Sequence, residues 1–177
     1  MTVATQAKTA ARKTRSYDYP VAAFDVAAAM ELSGLAYLQA LTAGRIGAEP
    51  SIGPTMGMHI PHEVGEGRVV LDATPGDFVL NPLGGVHGGF AATVLDSALG
   101  LAVHSTLSAG EGFSTAELKV NYTRAMAANA GRMRATGTVI HRGRQMATAE
   151  ARMVGVEDGK LYAHASTTCF IFPLRKG

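Results

Sequence analysis

The sequence predicts an α+β fold in which a curved antiparallel sheet wraps one buried helix. Three observations predict it. The order of periods is helix, strand, helix, then four sequential strands. Those strands are joined by short turns, a connection that makes neighbours antiparallel. The helix between them is apolar nearly all round, with Phe90, Ala91, Val94, Leu95, Ala98, Leu99, Leu101, Ala102 and Val103. A helix without a polar face is buried.

The elements follow in chain order. Residues 1–20 read as a disordered basic tail closed by Pro20, and residues 21–177 as one domain. Lys8, Arg12, Lys13 and Arg15 all precede the first acid, Asp18. A basic, acid-poor start also fits an organelle transit segment, but the plain tail is preferred. Phe24 and, within residues 25–43, Val26, Ala27, Met30, Leu32, Leu35, Leu38 and Leu41 fall at mixed three- and four-residue spacings, so one or two helices are expected. Asp25 is the candidate cap and Ser33-Gly34 the candidate break. Residues 44–58, rich in Gly and Pro, are expected to be a connecting loop. Val69, Leu71 and Ala73 alternate with Val70, Asp72 and Thr74 in a strand ended by Pro75-Gly76. Asn81 to Gly85 is a turn, and helix runs from His87 or Gly88 to about Leu107. After Gly110 and Gly112, Leu118, Val120 and Tyr122 alternate in one strand. Arg132–His141, Arg144–Val156 and Lys160–Phe172 are the others, with tight turns at His141-Arg142-Gly143-Arg144 and Asp158-Gly159.

Composition removes several function classes. Of 177 residues, 47% are apolar and 17% charged. The apolar share supports a core, and the low charge fits a surface partly buried in an oligomer. One cysteine, Cys169, excludes a disulfide scaffold and a cysteine zinc site, and reads as a small buried strand residue. No apolar run approaches the roughly 20 residues of a membrane span. A cytoplasmic location follows as the expectation. From Lys119 to Arg152 seven basic residues face one acid, Glu150. Such an excess attracts an anion. Tyr122 is the only aromatic there, so a phosphorylated small molecule fits better than nucleic acid.

The chemistry centres on Asp96, the only formally charged residue between Asp77 and Glu111. A carboxylate in the most apolar helix is costly unless compensated or used. His87-Gly88-Gly89 opens the same helix. Its first N–H groups lack intrahelical partners and carry the positive end of the dipole, so they suit an oxyanion. Gly88 and Asp96 are about 12 Å apart along the axis. One carbonyl cannot touch both groups of one helix. If they cooperate, they come from two chains, as antiparallel copies in a C2 dimer.

These residues resemble a known family. Asn81-Pro82-Leu83-Gly84-Gly85-Val86-His87-Gly88-Gly89, then Val94-Leu95-Asp96-Ser97-Ala98, is similar to the signature of hotdog-fold acyl-CoA thioesterases, nearest their phenylacetyl-CoA thioesterase-like branch. The similarity continues through Thr115 to Tyr122, His141 to Arg144 and Asp158 to Ala163. It departs at Ala125, where the family often has proline. The resemblance implies a hotdog fold and hydrolysis of an acyl-CoA. Asp96 would be nucleophile or general base. The Gly88 N–H, with Gly89, would polarise the thioester oxygen. Asn81 and His87 would orient carbonyl or water, and Thr115 or Ser114 would approach from the next strand. It further implies sites between subunits and a dimer of dimers.

Phe90, Leu83, Met56 and Met58 are candidates for the acyl pocket, and Arg124, Arg142 and Arg144 for the CoA phosphates. The helices at 25–43 are expected to line or cover that pocket. No metal and no cofactor is expected, because CoA is part of the substrate. His59 and His62 read as surface strand residues, and His104, His141 and His164 as structural. Gly-x-Ser-x-Gly and Gly-x-Gly-x-x-Gly are absent, which excludes an α/β-hydrolase elbow and a dinucleotide fingerprint. A non-catalytic acyl-CoA or lipid-binding module is the alternative function. A dehydratase or hydratase, which would place a catalytic His elsewhere, is the third.

Overall fold

The computed structural model describes residues 11–21 and 24–175. The first half of the expected tail, residues 1–10, lies outside them. Residues 11–21 form no helix or strand and are exposed. Arg15 donates to Thr55 O at 2.8 Å and Pro54 O at 2.6 Å, and stacks 3.6 Å over the Phe78 ring.

The expected helical segment is two helices, α1 (Val26–Glu31) and α2 (Gly34–Thr42). Asp25 caps the first through Ala28 N–H and Ser33 caps the second through Ala36 N–H. The predicted loop at 44–58 also contains a short helix, α3 (Ile52–Met56), ended by Gly57 at φ 68°. Pro54 inside a five-residue turn hides it from a periodicity search. Likewise β1 (Glu63–Gly65) escapes notice because three residues carry no alternation. It pairs with β2 (Arg68–Ala73) across Glu66-Gly67.

The central helix α4 spans Gly88–His104. Then come β3 (Glu111–Tyr122), β4 (Met133–Arg142), β5 (Met146–Gly155) and β6 (Leu161–Pro173). All pairings are antiparallel, in the order β1-β2-β4-β5-β6-β3. β3 therefore pairs not with its successor β4 but with β6 at the far edge. The sheet curls round α4 in the hotdog arrangement. Among the described residues no helix is long and apolar enough to cross a membrane.

The face toward α4 is built of small residues: Ala135, Ala147, Ala149, Ala151, Ala163 and Ala165 are all buried. Short side chains let the helix lie close in the curl. Asp72, on the outer face of β2, is buried beneath Arg134, which binds it at 2.8 and 3.0 Å. That bond holds the Asp72 carboxyl below its ordinary range.

At its C-terminal end α4 meets the N-terminal helices. His104 stacks on Tyr37 at 5.3 Å between ring centres and stands edge-on to Phe113 at 5.9 Å. Burial pushes its imidazole from the ordinary 6.5 down to about 4. Between these values the unfolded chain binds a proton that the folded chain refuses, so stability falls as pH drops. We expect unfolding free energy to decline by about 1.5 kcal/mol between pH 6.5 and 5. Urea titrations at the two pH values check this, and His104→Phe should flatten the dependence.

Candidate active site

The approach to α4 is set by Asn81. Its Oδ1 accepts the Leu83 N–H at 2.9 Å and the Gly85 N–H at 3.2 Å. Gly84, at φ 81°, completes the turn. The Asn81 side chain thus shapes the loop that delivers His87. His87 is the N-cap, and its Nδ1 accepts the Gly89 N–H at 2.9 Å. That bond places any proton of a neutral ring on Nε2. It also occupies the Gly89 amide, whereas the Gly88 N–H has no partner among the described residues. Gly88 sits under the Tyr122 ring, whose hydroxyl donates to Gly88 O at 3.1 Å. A Cβ on Gly88 would press the ring at 3.1 Å. Gly88 therefore gives close backbone approach with one free donor.

Two turns further along α4, half-buried Asp96 accepts the Thr115 hydroxyl at 3.2 Å. A β-bulge between Thr115 and Glu117 shifts the β3–β6 register. Such bulges re-aim side chains, and this one lies where Thr115 meets the carboxylate. Thr115 pairs in register with Cys169, which is fully buried. Burial pushes the Cys169 thiol up, as does the nearby Asp96 charge, so it is a poor nucleophile. Ser114 lies next to Thr115 on the exposed edge strand.

Asp96 and Thr115 open into a cavity of about 300 Å³. Its lining is mostly apolar, with Leu38 and Leu41 of α2, Ile52 of α3, Met58, and Leu71 of β2. Of the segment 25–43, α2 lines the cavity and α1 does not, and of the two candidate methionines Met58 is in it whereas Met56 is not. Phe90 is not: it is 1% exposed and packed in the core. Its position near the start of α4 turns it into the sheet's curl. Leu83, at 95% exposed, also lies away from the cavity. Sequence reasoning missed Leu101 and Phe113 in its wall, since apolar periodicity does not tell core from cavity.

The basic cluster divides. Arg132 and Arg134 lie against Asp72, and Arg142 is tied to Glu111 and Gly143 O. Arg124 and Arg144 have no ion pair among the described residues. They do not come together within one chain. Arg124 follows β3 near Ala163 and Arg144 precedes Met146 opposite Phe170, about 23 Å apart along β6. Gly88 and Asp96 are separated in the same sense: Gly88 meets Tyr122 at the end of β3, and Asp96 meets Thr115 well before it on that strand.

Residues 83–162 match the thioesterase superfamily. That match covers the central part of the chain. The matched segment includes Gly88, Asp96 and Thr115, whereas α1 to α3 lie outside it. Solved structures agree. A phenylacetic acid degradation-related protein from Ralstonia eutropha JMP134 is 29% identical, with a TM-score of 0.68 over 76% of this chain and 98% of its own. A thioesterase family protein from Silicibacter pomeroyi is 27% identical, with a TM-score of 0.64 over 70% and 90%. A Streptococcus mutans UA159 protein bound to acetyl CoA is 26% identical, with a TM-score of 0.58 over 66% and 90%. No curated protein matches the chain.

Proposed function

We propose that this chain hydrolyses acyl-CoA thioesters to the free acid and CoA. The observation that carries the reading is the Asp96 carboxylate, held by Thr115 at the head of an apolar cavity. An acyl chain in that cavity would present its thioester carbon to the carboxylate. Asp96 either removes a proton from an attacking water or attacks the carbonyl itself. The first route gives the tetrahedral intermediate directly. The second passes through an anhydride that water then opens. Both release CoA as a thiolate, a good leaving group, so no strong acid is needed.

The oxyanion requires a donor that Asp96's own helix end, about 12 Å away, does not supply. A homodimer with antiparallel α4 helices brings the free Gly88 N–H of one protomer to the other's Asp96. Such a pair gives two equal sites. Two dimers would form the assembled enzyme, and the same pairing brings Arg124 of one chain nearer Arg144 of the other. The acyl group is aromatic or a medium or long aliphatic chain, and the working location is the cytoplasm.

Thiol release from short, long and aromatic acyl-CoAs tests the reading. Turnover of at least one establishes a hydrolase. A folded protein that binds CoA esters and cleaves none is a binding module instead. We expect Arg144→Glu to raise KM about five- to tenfold with kcat unchanged, since an exposed charge acts on encounter with the CoA phosphates. An unchanged KM removes Arg144 from the CoA site.

A further inference from the structure

The cavity at Asp96 is one of two that meet beneath the N-terminal helices. The second, of about 500 Å³, extends past Leu107 to Phe172 and Leu174. Six residues border both: Leu38, Leu41, Pro50, Leu101, His104 and Phe113. They form a wall drawn from α2, the loop after it, the end of α4 and the start of β3. Its parts hold one another. Phe113 meets the His104 ring edge-on at 5.9 Å, Tyr37 backs that ring at 5.3 Å, and Leu38 is 2% exposed. Gly34 N–H donates to Leu107 O at 2.8 Å, and a Cβ on Gly34 would lie 1.7 Å from His104 O. So α2 is seated against the end of α4 with no room between them.

We propose that this wall is a chain-length stop, and that the acyl group is a straight aliphatic chain of about eight to ten carbons laid along α4 within one protomer. The placement of its carbonyl at Asp96 rests on the hydrolase reading; the stop itself does not. Asp96, Gly100 and His104 follow one another at four-residue steps on one face of α4. From carboxylate to wall this spans about 12 Å, the reach of roughly nine carbons in extended form. The volume agrees, because a cavity of about 150 Å³ takes one benzene and this one is twice that. Gly100 lets the Phe113 ring lie against α4: a Cβ there would press that ring at 3.2 Å and push it into the slot. An apolar slot of this length and volume suits a polymethylene chain better than a short aromatic acid.

The test is kcat/KM for straight-chain acyl-CoAs of 4 to 16 carbons and for phenylacetyl-CoA. It is run on wild type, Phe113→Ala and Gly100→Ala. Calorimetric binding of the free fatty acids runs alongside, with melting temperatures confirming that each variant folds. In wild type we expect a gain of about fourfold per methylene up to eight or ten carbons, then a fall of at least tenfold by fourteen. Phe113→Ala joins the two cavities and moves the optimum to fourteen carbons or more. Gly100→Ala narrows the slot and moves it to six or fewer. The same cut-off in fatty-acid binding without hydrolysis would support the stop and sink the hydrolase reading. Hydrolysis with a flat profile, a phenylacetyl optimum, or a Phe113→Ala profile identical to wild type would overturn the stop and leave the hydrolase standing. Neither binding nor turnover overturns both.

Discussion

Asp96→Asn is expected to leave the fold intact and to lower kcat on the best acyl-CoA by about 10²- to 10⁴-fold. The substitution keeps the shape of the side chain and retains an oxygen to accept the Thr115 hydroxyl bond, now 3.2 Å long. It removes the charge, and with it both the basicity toward water and the nucleophilicity toward the carbonyl. Melting temperature and KM are expected to change little, because the apolar cavity and the exposed arginines are untouched. Thiol release under saturating substrate, beside a melting curve, checks both halves. A kcat within fivefold of wild type would move the chemistry away from Asp96. Loss of the fold would instead make the carboxylate structural.

Gly137→Ala carries the largest expected loss of stability. A Cβ at Gly137 would stand 2.2 Å from Ala98 O and 3.1 Å from Leu99 N. Both are backbone atoms of α4, so no side chain can swing aside. The helix must lift from β4, opening gaps over Ala135, Ala149 and Ala151 in the same face. We expect a loss of about 3 kcal/mol or more and a melting temperature lower by roughly 10 °C. Because α4 carries both Gly88 and Asp96, kcat falls as well. Thermal and urea unfolding against wild type test the claim. A loss below 1 kcal/mol would mean that the helix is seated less tightly than described.

Within the candidate site, the residues that read most clearly were those whose chemistry contradicts their surroundings. Asp96 stands out because a lone carboxylate in an apolar helix needs a reason. Gly88 stands out because helix starts have free N–H groups. Phe90 misled, since an apolar residue beside a site motif looks the same whether it packs inward or lines a cavity. Arg142 misled likewise: its neutralising partner Glu111 lies 31 positions away. His87 and Asn81 were legible as members of the loop. Their bonds to Gly89, Leu83 and Gly85 are what the tertiary structure added.

By itself the sequence determined the longer elements, though not the short α3 and β1. Periodicity sets α4 and the long strands, Asp25 and Ser33 begin the first two helices, and Asp158-Gly159 turns the last hairpin. All of these depend on residues a few positions apart. The tertiary structure alone decided that β3 crosses to β6, that the bulge brings Thr115 to Asp96, and that α2 and α3 roof a cavity ending in a shared wall. Those outcomes depend on which distant surfaces bury each other. Burial is non-directional, so a local apolar pattern marks a surface as buried without naming its partner.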